Sequence, residues 1–489
     1  MATPAAATPW FPHRTLARFV VGYLLVVAVA LALPLDPTAA LPAPGAAASL
    51  ELPAVLRAPR EPAELRIVCV GASETLGFPY APEVAFAAQL GHGLRALLPE
   101  RKITAVGLGG TALDSPRIAG LAEAALASRP DLLVVVLGGN ELGARIFAGK
   151  ELLPDDPLGA LLECLTRPRL LFVRAAASGG KPVDHAALLQ LVWRARPAVP
   201  ALAGLPVGAR DRRALARRLA QSVERIAAAA AQARVPLLFA LAPHDLVGAK
   251  PHGCALAADT AWEAGRQALR AGEFAAARAH FERARDGDPA PLHRIGLFTA
   301  TIQACAQPLQ VPCIDLQEAL AGSDGLPDPG RFLDPLHPDA QGHAAIASYL
   351  AREATGRGLL PALPAGWEAR FAAATRAQLA AGLGPEAALL ARLQARWSNA
   401  LLHMLCGNFA AAEAPVADNL AELAGSPLTP LAERTLADMG GYVLLLAGGL
   451  SGRLAEYQRE PAAALATLRQ ALADRLVLDW FARHARPRR

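Results

Sequence analysis

Between residues 65 and 316 short apolar runs recur along the chain: "LRIVCVG" (Leu65–Gly71), "ITAVGL" (Ile103–Leu108), "LLVVVLGG" (Leu132–Gly139), "VPLLFAL" (Val235–Leu241) and "VPCIDL" (Val311–Leu316). Most are rich in Val, Ile and Leu with no polar alternation, the pattern of strands buried on both faces. Between them lie stretches of helical period, among them "PEVAFAAQLGHGLRALL" and "RRALARRLAQSVERIAAAAAQAR". The alternation predicts an α/β fold, a parallel sheet covered by helices on both faces. In such a sheet the ligand crevice opens beyond the C-terminal strand ends, so the residues just after each run are the candidates for chemistry.

Two regions depart from the alternation. "AWEAGRQALRAGEFAAARAHFERARDGDP" (Ala261–Pro289) places Gly265, Gly272, Phe274, Ala277, Phe281, Ala284 and Pro289 where a tetratricopeptide helix pair has its small and large positions. The segment 259–290 therefore resembles such a pair, inserted into a domain spanning 64–355. Its small residues let two helices approach, and its Phe residues are expected to fill the groove between them. Beyond Arg352 the chain is helical in character. Gly407, Phe409 and Ala412 repeat the same grammar, which predicts an all-α, repeat-like domain over 356–489 that could offer a concave surface to a protein or glycan partner.

The N-terminus carries a different signal. His13, Arg14 and Arg18 precede an uncharged apolar run from Phe19 to Leu35, and a Pro/Ala-rich linker follows. Basic residues ahead of a span-length apolar run predict a cytoplasmic start and export of the rest. Residues 1–36 are thus a membrane anchor or, with Ala30-Leu31-Ala32 as a cleavage site, a signal peptide; residues 37–63 are the linker. The expected location is the cell envelope.

Composition sharpens the picture only in part. The 489 residues are 53% hydrophobic and 19% charged, which describes a globular chain with ample core and room for more than one domain. The net charge of +5 comes without a basic stripe interleaved with aromatics, which argues against a nucleic-acid partner. Six cysteines lack the paired spacing of a zinc site; Cys69 reads as core, and Cys254, Cys305 and Cys313 are disulfide candidates in an exported protein.

The strand ends carry the candidate chemistry. Ser73 stands in "GASET" just past the first run, Gly110 in "GLGGTA" past the second (with Gly109 as the other choice of register), and Asn140 in "GGNE" past the third. A Ser on a strand-to-helix turn can present its hydroxyl at the sheet edge. A Gly lets a backbone N–H face a ligand, and an uncharged amide can donate to a developing oxyanion. Downstream, "RFLDPLHPDAQGHAAIASYL" supplies Asp334 and His337. Across that turn the carboxylate can reach one ring nitrogen and leave the other to take a proton from Ser73. His343 is expected to face a loop or cap the helix that follows.

In that order the five residues resemble the SGNH (GDSL-type) hydrolases, named for the Ser, Gly, Asn and His of four separate blocks. The resemblance runs from about Leu65 to Arg352, and "DPLHPDAQGH" is its most specific part. Two positions depart from the pattern: Ala72 stands where an Asp precedes the Ser, and Glu141 where an Asp follows the Asn. The resemblance implies a flavodoxin-like three-layer α/β/α sandwich, with no metal or organic cofactor. It implies a serine esterase using Ser73, His337 and Asp334, with the Ser73 N–H, the Gly110 N–H and the Asn140 side chain as oxyanion hole. The implied substrate is an acyl ester of a lipid or acylated glycan. O-acyl transfer to, or deacetylation of, a cell-envelope polysaccharide, or a retired hydrolase domain in a repeat scaffold, stand as alternatives. Joined to an N-terminal membrane segment and helical repeats, the arrangement is similar to exported bacterial members of that superfamily.

Overall fold

The computed structural model describes residues 52–80, 82–110, 113–142, 208–252, 256–405 and positions 414, 415, 418, 419 and 422. The apolar run Phe19–Leu35, Cys254 and the repeat positions Gly407, Phe409 and Ala412 lie outside the described residues. Among the described residues no helix is long and apolar enough to cross a membrane.

Five strands form one sheet in the order β2-β1-β3-β4-β5: β1 Glu64–Val70, β2 Lys102–Leu108, β3 Leu132–Leu137, β4 Leu237–Leu241 and β5 Cys313–Asp315. Every pairing is parallel. This is the doubly wound order whose direction of winding reverses at β1. The last two strands begin later than the apolar runs suggest, because Pro236 and Pro312 have no N–H to give the ladder. They contribute only their carbonyls, which accept from Leu133 and Phe239.

Alternation along the buried strands sends side chains to two cores. Val68, Val70, Leu133, Val135, Phe239 and Leu241 point to a layer built from α3 (Ser115–Leu126), α4 (Ala209–Ala233) and α7 (Gly296–Ala306). Ile67, Cys69, Val134, Val136, Leu238 and Ile314 point the other way, onto α2 (Phe86–Leu97), α8 (Ala340–Gly356) and α9 (Trp367–Gly382). Cys69 is fully buried in the second core, and burial pushes its thiol up to about 12. Helix α9 lies past residue 355 and yet packs on α2, seating Phe371 in the same core beside the backbone of Gly93.

The inserted segment is a helix hairpin, α5 (Leu256–Arg270) and α6 (Phe274–Gly287). Gly272 turns the chain with φ +75°, a conformation that favours glycine. Phe281 lies against Gly265, where an added Cβ would meet the ring at 2.7 Å. Ala277, Phe281 and Ala284 are buried as the spacing predicts, but Phe274 is not: it is 42% exposed at the first residue of α6 and fills no groove. Cys305 and Cys313 are free thiols, each raised by burial, and form no bridge with each other.

Candidate active site

Because all strands are parallel, their C-terminal ends share one edge, and the candidate residues gather there. The β1–β2 ladder continues through Gly71, whose N–H donates to the Leu108 carbonyl at 3.1 Å. The chain then turns at Ala72 into a single helical turn, α1 (Ser73–Leu76), at the switch point of the sheet. Gly109, at the end of β2, lies directly under this turn: a Cβ there would stand 2.5 Å from the Ala72 carbonyl oxygen and 2.5 Å from the Leu76 nitrogen. Gly109 is thus a close-packing glycine, while Gly110 is the next residue along the same edge. Asn140 follows β3 on the other side of β1, beyond Gly138, whose φ of +91° bends the chain off the strand.

The segment carrying Asp334 and His337 is closed on itself. Leu333 N–H donates to the His337 carbonyl at 2.9 Å and Asp339 N–H to that of Arg331 at 2.8 Å. The Asp245 N–H, from the loop after β4, donates to the Pro335 carbonyl at 2.9 Å and ties this segment to the sheet. Asp334 Oδ1 accepts the Leu336 and His337 N–H groups, each at 2.8 Å, so its carboxylate is fixed by main chain. Asp334 Oδ2 lies 2.7 Å from His337 Nδ1, and His337 Nε2 lies 2.8 Å from Ser73 Oγ. A carboxylate only accepts, so Nδ1 carries the proton and Nε2 is left to accept from the Ser73 hydroxyl. Ser73 and His337 come together across 264 positions of chain.

The electrostatics favour a proton on His337. Burial opposes its charge, but the Asp334 carboxylate, in contact, and the nearby Glu74 outweigh it and hold the imidazole above its usual range. The Phe78 ring covers it with centroids 4.8 Å apart. Glu74 is itself buried and shifted upward by that burial, against the N–H of Ala72 that it accepts at 3.0 Å. Asp245 is pushed up to about 7 by burial although it accepts the N–H groups of Val247 and Gly248. A cavity of about 450 Å³ adjoins the segment on the Asp334 side, lined by Asp245, Lys250, Asp334, Pro335, Asn399 and His403 among others.

His343 corrects the sequence reading. It neither faces a loop nor caps α8; Asp339 caps that helix, accepting the Gly342 N–H. His343 is fully buried, its ring stacked on Phe86 and edge-on to Tyr80, and burial holds it down at about 3. Glu74, Glu141 and Asp245 are buried charges around the site that sequence reading did not assign a part. The signal for the first two was positional, since each directly follows a candidate catalytic residue. Asp245, in "LAPHDL", offered only its place after a strand.

No protein-family model matches the chain, and no curated protein matches it. Among solved structures, the chain is similar to a lipolytic protein of the G-D-S-L family from Desulfitobacterium hafniense, at 12% identity over 59% of this chain and 98% of that one, with a TM-score of 0.30. A GDSL-like lipase from Bacteroides thetaiotaomicron matches at 11% identity over 60% of this chain and 89% of that one, TM-score 0.29. An acetylxylan esterase from Geobacillus stearothermophilus matches at 13% identity over 60% of this chain and 94% of that one, TM-score 0.27. At such identities and TM-scores these likenesses carry no chemistry over to this chain.

Proposed function

We propose that the chain is a serine esterase of the SGNH type that hydrolyses acyl esters, with Ser73 as nucleophile, His337 as general base and Asp334 as its orienting carboxylate. The observation that carries the reading is the unbroken relay from Asp334 Oδ2 through His337 to Ser73 Oγ, at 2.7 and 2.8 Å. Ser73 Oγ attacks the ester carbonyl while His337 Nε2 takes its proton. The same proton then passes to the departing alkoxide, leaving an acyl-Ser73 ester and a free alcohol. Water, deprotonated by His337, attacks that ester and releases the acid, restoring Ser73. The oxyanion of each tetrahedral intermediate is held by the N–H groups of Ser73 and Gly110 and by the Asn140 amide, all on the edge where β1, β2 and β3 end.

The substrate in this reading is an acyl ester of a lipid or an acylated glycan. The envelope location rests on the basic-then-apolar pattern of residues 13–35, and the hairpin α5–α6 is read as a tetratricopeptide-like unit on its Gly265–Phe281 packing. The test is hydrolysis of p-nitrophenyl acetate by the full chain and by Ser73→Ala. Serine-dependent turnover is expected; turnover unchanged in the variant would end the proposal.

A further inference from the structure

Glu141 is the residue that stands where the resembled pattern has an Asp, and its side chain makes contacts that the mechanism above leaves unused. It is 2% exposed. Its Oε1 accepts the main-chain N–H of Ser115 at 3.1 Å, and its Oε2 accepts the Ser115 hydroxyl at 2.8 Å. Ser115 is the first residue of α3 and is fully buried. The preceding residue, Asp114, makes no side-chain cap on that helix. The capping that a helix start needs is therefore supplied from another loop. The two loops joined in this way are the two that carry the proposed oxyanion donors: Gly110 precedes Ser115 on the chain leaving β2, and Asn140 is bonded directly to Glu141 after β3.

We propose that Glu141 is a positioning residue that clamps the Asn140 loop to the Gly110 loop through Ser115, setting the spacing of the oxyanion donors. The inference rests on the esterase reading of Ser73 and deepens it.

The charges around the clamp make it responsive to pH. Asp114, 1% exposed, faces Glu141 from the start of α3. Arg218 of α4 pairs with Asp114 Oδ2, and Arg117 approaches Asp114 Oδ1 at 3.7 Å. Burial first, and then the Asp114 charge, push Glu141 up to about 7, with Ser115 and Arg218 working against them. Ionised, Glu141 accepts both Ser115 donors. Protonated, it keeps one free acceptor oxygen and must re-orient the Ser115 hydroxyl. The clamp is thus complete above about pH 7 and loosens as pH falls through it. His337 also gains its inactivating proton as pH falls, with Glu74 and Asp245 as the other raised carboxyl groups at the site, so Glu141 adds one proton to an acid limb that these groups already set.

The experiment measures kcat and KM for p-nitrophenyl acetate against pH in wild type, Glu141→Ala, Glu141→Gln and Ser73→Ala. Glu141→Ala is expected to lose about 100-fold in kcat with KM little changed, the scale of effect that a small misplacement produces. Glu141→Gln keeps an acceptor for the Ser115 N–H and a donor for its hydroxyl. Because it reproduces the protonated, loosened clamp at every pH, it is expected to turn over more slowly than wild type above about pH 7, faster than Glu141→Ala, and with an acid limb shallower by one proton. Serine-dependent turnover that Glu141→Ala leaves at the wild-type level would overturn the clamp while leaving the esterase reading intact. An acid limb as steep in Glu141→Gln as in wild type would do the same, and that variant decides the matter even where Glu141→Ala does not fold. Turnover independent of Ser73 would overturn both.

Discussion

Among the described residues, His337 and a row of four other buried imidazoles behave in opposite ways. His337, at the sheet edge, has a partner on each ring nitrogen, and the Asp334 carboxylate holds it above the usual histidine range. His244, His293, His252 and His403 form a row, with successive ring centroids 5.4, 5.9 and 4.6 Å apart. In that row neither ring nitrogen of His244 or His293 has a hydrogen-bond partner among the described residues. Burial drives His244 and His252 well below the usual value, His293 to about 3 and His403 to about 4. The charges facing the row include Arg285, Arg294 and Arg212 around His244 and His293 and Lys250 beside His403; Asp286 opposes them at His293, and the buried Asp288 carboxylate accepts the main-chain N–H of His252. Among the described residues no set of three or more His, Cys, Asp or Glu side chains is arranged to hold a metal ion. Burial alone does not make a histidine a base. A carboxylate on the far nitrogen does.

The comparison breaks most sharply at its catalytic end. Removing the base with His337→Ala is expected to cost on the order of 10⁶ in turnover of p-nitrophenyl acetate. Asp334→Asn, which leaves the shape but offers an amide to Nδ1, is expected to cost about 10⁴. Substituting a row histidine by Phe should leave turnover near wild type, since none of the four touches Ser73. An effect of His293→Phe as large as that of Asp334→Asn would erase the distinction drawn here. Between these extremes, Asn140→Ala is expected to lower kcat by about 100- to 1,000-fold, the usual consequence of deleting one oxyanion donor.

Stability against pH sharpens the same contrast at smaller scale. The folded row stays neutral while the unfolded chain takes up protons below its ordinary value of 6.5. The row therefore costs nothing above that value and destabilises progressively as pH falls toward about 3 to 4. Each fully neutral imidazole should cost about 2 kcal/mol at about pH 5. His337 has the reverse sign: raised when folded, it adds stability that is complete below 6.5 and lost as pH rises through its folded value. Urea unfolding from about pH 5 to 8 should show a shallower slope in His293→Phe than in wild type, and a steeper one in His337→Ala. Identical slopes in all three would contradict the assignment of these signs. In activity, kcat/KM should fall as pH drops through a value above 6.5, and Asp334→Asn should move that limb lower.

The same contrast marks how much could be read from sequence. The apolar runs located the five described strands; β1, β3 and β4 are buried along their whole length, and the edge strands β2 and β5, though partly exposed, keep the same apolar composition. Ser73, Asp334 and His337 stood out because their order on strand ends was itself informative, and the parallel sheet gathers such ends on one edge. What stayed hidden depends on who covers whom. His343 follows His337 by six positions and shares its helix entry, yet packs against Phe86 from α2, a neighbour no local pattern names. The histidine row draws on three separate segments and is joined only by tertiary packing. Helix α9 has weak amphipathic patterning, and its packing on α2 and α8 through Phe371, Trp367 and Leu379 is a tertiary fact that no local pattern names. Phe274 had the right residue type for a buried position, but the hairpin turns it outward at the first residue of α6.

The central claim is that the Ser73 hydroxyl is activated by His337, and labelling with a fluorophosphonate probe tests it most directly. Wild-type protein should be modified at Ser73, mapped by peptide mass, at a rate that falls as His337 is protonated. His337→Ala should fold and label at a rate lower by orders of magnitude. Labelling of Ser73 at the same rate in both proteins, or none in folded wild type, would contradict the account.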